Sequence, residues 1–168
     1  MSDSKSDDVK KLVRLIKDIK FAMLTTATKN GALRSRPMAT QVEDDFDGTL
    51  WFFTDDDEAK VHEIQRDKHV NVSFADPHKN DYVSVSGLAS IVKNKAKAKE
   101  LWNPFYKAWF PDGLDDPKLA LIRVDVDRAE YWDSPNSKVV QLAGLIKAVV
   151  TGKPAKGGEN KKVKLKGR

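Results

Sequence analysis

The chain has 168 residues, of which 40% are hydrophobic and 8% aromatic, enough for one domain with a proper core and too few for two ordinary ones. It contains no cysteine, which excludes disulfides, thiolate metal sites and a thiol nucleophile and fits a reducing cytoplasm. The formal charge of +5 is uneven: residues 152–168 hold six lysines and one arginine against a single glutamate, a local balance of +6, so residues 1–151 carry −1.

The amino terminus, MSDSKSDDVKK, lacks the apolar centre of a signal peptide, and no later run approaches the roughly 18 apolar residues that cross a bilayer. The chain therefore reads as cytoplasmic, with no membrane contact. Residues 9–20 place Val9, Leu12, Val13, Ile16 and Ile19 at helical spacing, with lysines on the opposite side, predicting an amphipathic helix that caps a core. FAMLTTA (21–27), LRSRPMATQV (33–42), TLWFFTD (49–55) and HVNVSFAD (69–76) read as strands, the first two joined by the turn-forming TKNG. An antiparallel meander is the simplest arrangement. EAKVHEIQRD (58–67) is a short helix inserted in that series, and the aspartates at 55–57 stand where a cap and the helix dipole favour acids. DYVSVSGLASIV (81–92) alternates cleanly until Gly87, which predicts a bulge or sharp bend.

Residues 95–110 predict a helix broken near Pro104, and LALIRVDVDRAEYWD (119–133) predicts a long strand. KVVQLAGLIKAVV (138–150) is apolar enough to pack against something. The Gly- and Lys-rich stretch 152–168 has too little apolar surface to offset its ordering entropy and is expected to be a disordered basic tail. The fold class that follows is α+β dominated by antiparallel strands: a closed or nearly closed barrel over residues 1–151, with peripheral helices.

Much chemistry is missing. His62, His69 and His78 have no zinc spacing, so no metal site is expected. There is no phosphate loop of the Walker or dinucleotide type and no Gly-x-Ser-x-Gly elbow. No side chain stands out as a committed acid, base or nucleophile, so any catalysis would rely on a bound cofactor.

Two segments do carry chemistry. Strand alternation in LRSRPMATQV sets Arg34, Arg36, Met38, Thr40 and Val42 on one face, and an arginine among those apolar neighbours must escape to water or meet an anion. Pro37 withholds a backbone donor, which places the strand at an edge or beside a bulge. An edge strand with gatekeeping charges satisfies the same pattern. In WFFTDDDEAKVHEI, a strand ends at Thr54 and a helix follows at once, so the Thr54 hydroxyl, the first helical amides and Lys60 could converge on a phosphate. That requires Asp55, Asp56 and Asp57 to face solvent; an ordinary capped helix is the other reading.

In this order, SRPM, LWFFTDDDEAK, DYVSVSGLASIV and AEYWD resemble segments of the pyridoxamine 5'-phosphate oxidase-like FMN-binding split barrels, in particular their bacterial general stress protein branch, over roughly residues 10–135. The resemblance implies a split β-barrel that binds FMN as a homodimer. It places Arg36 near the flavin phosphate and ribityl chain, Pro37, Met38 and Ala39 along the isoalloxazine, Phe53 and Thr54 beside the cofactor, and Lys60 on the phosphate. Ala59 stands where the oxidases have a second phosphate-binding arginine, Tyr82 where they have a glutamine on the flavin, and Trp132 matches a tryptophan given across the dimer interface. After Trp132 the chain reads DSPNSKVV and lacks the Arg-x-His substrate motif, which argues against pyridoxamine 5'-phosphate oxidase activity. The implied function is an FMN-binding general stress protein, either a flavin-dependent oxidoreductase or a non-catalytic flavin carrier or sensor. Nucleic-acid binding through the tail and Trp102, Tyr106 and Trp109 is the weaker reading, because those aromatics have the helical spacing of packing residues.

Overall fold

The structure is a computed structural model and describes residues 2–133 and 159–165. Helix α1 (Ser2–Asp18) buries Leu12 and Ile16 of the expected apolar stripe against the barrel core, with Leu15, which the stripe did not include, buried beside them. Lys20, at φ 40°, takes the left-handed position that ends a helix and turns the chain into the sheet. Strands β1 (Phe21–Ala27) and β2 (Leu33–Ala39) form a hairpin. β3 (Thr49–Asp55) leads into helix α2 (Ala59–Arg66), followed by the paired β4 (His69–Asp76) and β5 (Asp81–Val92). Helix α3 (Lys95–Leu101) stops at Trp102, and a 3-10 turn at Pro104–Ala108 continues the broken helical segment that Pro104 predicts. A second 3-10 turn, Gly113–Asp115, precedes β6 (Leu119–Asp133), and β7 (Glu159–Lys164) follows.

The strands pair antiparallel in the order β2-β1-β4-β5-β6-β3, with β7 added to β6. A simple meander is therefore overturned: β3 leaves its sequence neighbour β2 and crosses to the far edge. The reason lies in its side chains. Thr49 to Thr54 are all buried, Leu50 and Phe52 facing the barrel core while Trp51 and Phe53 face a second core roofed by α3 and the 3-10 turn. A strand apolar on both faces needs cover on both, and only the β6 edge beside that roof offers it. The two ends of the sheet meet at a single bridge, where Gln41 and Trp51 exchange backbone hydrogen bonds of 2.8 and 3.0 Å. The sheet is thus an open barrel, split along the seam between β2 and β3.

The expected disordered tail is corrected at Glu159–Lys164. These residues form β7 on Arg128–Asp133, the stretch of the β6 edge that β3, paired with Leu119–Asp125, leaves uncovered. Low apolar content misleads here, because a strand needs only one buried face, and Val163 supplies it. Unpaired edge amides gain a ladder, and Lys161 reaches Asp8 of α1 at 3.0 Å while Lys11 reaches Asp133 at 2.7 Å and also bonds Glu159. The apolar segment 138–150 lies outside the described residues.

Gly87 sits at the predicted bulge. Ser86 faces Arg128 but Gly87 faces Val126, so the register slips by one residue. A Cβ on Gly87 would lie 2.3 Å from the backbone oxygen of Asp125. Gly87→Ala is expected to cost about 3 kcal/mol in urea unfolding; a loss below about 0.5 kcal/mol would mean that the two strands separate freely at this point.

Candidate functional site

The end of β2 and the β3–α2 connection line one cavity of about 290 Å³ beside the seam. Arg36, Pro37, Met38, Ala39, Phe53, Thr54 and Lys60, all singled out from the sequence, stand in its wall. Residues that sequence reasoning missed complete it, notably Phe21, Asp55, Glu58 and Tyr106. Phe53 is packed by Tyr106 and Trp102, with ring centroids 4.7 and 5.5 Å away, and the Tyr106 hydroxyl accepts from Gln41 Nε2. This apolar wall comes from the second core, so Trp102 and Tyr106 pack as their spacing predicts. Trp51, too, fills that core rather than the barrel.

Arg36 lies opposite Leu24 on the inner face of the hairpin. Its Nη1 donates to Thr26 Oγ1 at 2.6 Å and to the Leu24 carbonyl at 3.3 Å, and its Nη2 donates to Glu63 Oε2 at 2.9 Å. The anion that Arg36 requires is therefore a protein carboxylate. Glu63, on α2, is 6% exposed and also accepts from the Thr26 hydroxyl at 2.5 Å. Burial pushes its carboxyl up, but the Thr26 bond and the Arg36 and Arg34 charges outweigh burial and hold it below the usual carboxylate range. One sequence signal pointed this way: the alternation Ala22, Leu24, Thr26 sets a hydroxyl on the buried face of β1, where it needs a polar partner.

Lys60 is mostly buried, with Nζ 3.4 Å from Glu58 Oε2. The Thr54 hydroxyl donates to the Asp55 carbonyl at 3.1 Å. The acids do not cap α2, whose N-cap is Glu58 without a side-chain bond. Asp56 pairs with Lys93 and Asp57 with Lys118, the latter at 2.6 Å, which turns both outward. Asp55 instead lines the cavity, and burial, then the Asp116, Asp57 and Glu58 charges, raise its pKa.

A second cavity, about 500 Å³, shares Phe21, Ala39 and Tyr106 with the first. Tyr82 and Trp132 are not in either wall. They are cross-strand partners on the outer face of β5 and β6, 39% and 40% exposed. An apolar wall that includes Pro37, Met38, Ala39 and Phe53, beside the polar groups of Arg36, Thr54 and Lys60, suits a ligand with an apolar body and a polar chain.

Residues 7–156 match the family described as pyridoxamine 5'-phosphate oxidase like. Protein bli-3 of Neurospora crassa is 37% identical over 145 residues, which cover 81% of this chain and 69% of that protein. The crystal structure of the general stress FMN/FAD binding protein of Xanthomonas citri is 32% identical with a TM-score of 0.66, covering 76% of this chain and 88% of that one. A crystal structure from Jannaschia sp. CCS1, at 21% identity and a TM-score of 0.77, covers 95% of this chain and 99% of that one and shares the split-barrel fold.

Arg36→Met would leave the Glu63 carboxylate buried without its cation, and the expected loss is about 3–5 kcal/mol near pH 7. In the wild type the lowered Glu63 pKa stabilises the fold above the ordinary carboxyl value, and this contribution is lost as pH falls through the folded-state value. In the variant burial acts without the Arg36 charge, the pKa rises, and protonation should shrink the deficit by about 1 kcal/mol or more near pH 5. Urea unfolding at both pH values checks this, and an equal deficit at the two would contradict it.

Proposed function

The chain belongs to the pyridoxamine 5'-phosphate oxidase like family, and from that membership we propose that it binds FMN in the cavity beside the seam and works as a cytoplasmic, flavin-dependent oxidoreductase of the general stress kind. The observation that carries the proposal is the convergence of β2 and the β3–α2 connection on one cavity. Pro37, Met38 and Ala39 would lie along the ring, Arg36 would offer its remaining N–H groups to the ribityl chain, and Lys60 would meet the phosphate, helped by Thr54 and the first amides of α2. The bound flavin supplies the hydride or electron chemistry. The Xanthomonas citri relative is a general stress FMN/FAD binding protein, which supports the choice of ligand.

At about 290 Å³ the cavity falls at the small end of the roughly 300–1,000 Å³ typical of ligand pockets, so one chain offers a partial cradle. This supports a homodimer in which Tyr82 and Trp132 of a second copy cover the ring. Around those aromatics the outer face is a low ladder in which Asn71 donates to Ser84 and accepts from Ser73, at 2.9 and 2.8 Å, with Phe21 and Met23 exposed beyond it. Such a face is apolar at its margins and pre-bonded at its centre, so it can be covered without stranding polar groups.

Catalysis would need a reaction partner in contact with the ring, and the second cavity, which shares Phe21, Ala39 and Tyr106 with the first, is the adjoining space from which one could approach. Oxidation of pyridoxamine 5'-phosphate is not proposed, since DSPNSKVV (133–140) carries no Arg-x-His.

Titration of FMN into colourless protein should give saturable fluorescence quenching, and NAD(P)H should bleach the bound flavin. Binding without bleaching would favour a carrier or sensor; absence of binding would remove the proposal. Lys60→Ala is expected to weaken FMN about threefold while changing riboflavin affinity little, because Glu58 already offsets much of the Lys60 charge.

A further inference from the structure

Resting on that reading, we infer that Glu63 cancels the charge of Arg36, so the site selects a flavin by its ring and hydroxylated chain and gains little from its phosphate. Glu63 is a positioning residue: it does not line the cavity but acts through the guanidinium that does.

The charges facing the cavity are Arg36, Lys60, Asp55 and Glu58. Arg36 is bonded at 2.9 Å to the buried Glu63 carboxylate, so the two form a neutral unit whose field falls off as a dipole. Lys60 is 3.4 Å from Glu58. Asp55 adds no positive charge in either protonation state. Arg34 is 3.7 Å from the second Glu63 oxygen but 62% exposed, so solvent and salt screen it. The wall is therefore rich in donors and poor in net charge. Hydroxyl groups on a flavin chain need donors and acceptors only, whereas a phosphate dianion also needs positive charge to offset its lost hydration. Thr26 and the Leu24 carbonyl hold the guanidinium from behind, so removing the Glu63 charge exposes a net cation without moving it. Ala59, at the start of α2, adds no further cation beside Lys60.

The test is the ratio of the riboflavin dissociation constant to the FMN dissociation constant, from quenching titrations of wild type, Glu63→Gln, Arg36→Gln and the double variant. In the wild type the ratio should lie within about tenfold of unity. Glu63→Gln should raise it about tenfold, Arg36→Gln should lower it about tenfold, and the double variant should return within about threefold of wild type, because the sum of charge governs it. Equal weakening of both flavins in Glu63→Gln, or an unchanged ratio, would overturn the inference while leaving flavin binding intact. Failure of the wild type to bind either flavin would overturn the flavin reading as well. Should a single variant not fold, the wild type still decides: raising salt should weaken FMN and riboflavin in parallel, and a steep loss for FMN alone would refute the near-neutral cradle.

Discussion

A carboxylate with 6% exposure ties this barrel together. Burying Glu63 is costly unless its charge is matched and its lone pairs are filled, and the matching groups come from two different strands: Thr26 on β1 and Arg36 on β2. Helix α2 can therefore sit only where it presents Glu63 to that hairpin. Because α2 follows β3 with just Asp56, Asp57 and Glu58 between them, fixing the helix also fixes the end of β3 near β2. Two strands at opposite ends of the sheet order are brought side by side, and the cavity is the space between them.

The same constraint explains why the barrel stays split. The Gln41–Trp51 bridge joins the two edges at one point, and the cavity occupies the seam beside it. Full pairing of β2 with β3 would close the barrel and fill the space with main chain. Pro37 helps prevent it, since a strand lacking that donor is suited to an edge. Phe53 and Trp51 point away from the barrel into the second core, so β3 is stabilised by packing on its outer side rather than by a ladder to β2.

Polar groups on the outer surface follow a different rule. On β4 and β5 they bond one another along the sheet, while Tyr82 and Trp132 remain exposed as a cross-strand pair. On β6 the free edge is covered by β7, held through Val163 and the ion pairs that join Lys161, Glu159 and Lys11. One long strand thus organises both ends of the fold, with β3 on its first half and β7 on its second.

Hydrophobic alternation, turn residues and the placement of Pro37, Gly87 and Pro104 made most elements legible in the sequence, because these signals act over a few residues and owe nothing to distant partners. Strand limits at Phe21–Ala27, Thr49–Asp55, His69–Asp76 and Asp81–Val92 follow from such signals. Of the residues that line the cavity, Arg36, Pro37, Thr54 and Lys60 were singled out from short local patterns, and Met38, Ala39 and Phe53 through the family resemblance. Strand order, the β7 edge cover, the inward turn of Asp55 and the pairing of Arg36 with Glu63 were decided only in three dimensions. Each depends on which group far along the chain satisfies a buried charge or an open edge, and Glu63, 27 positions after Arg36, carries no local mark of that choice.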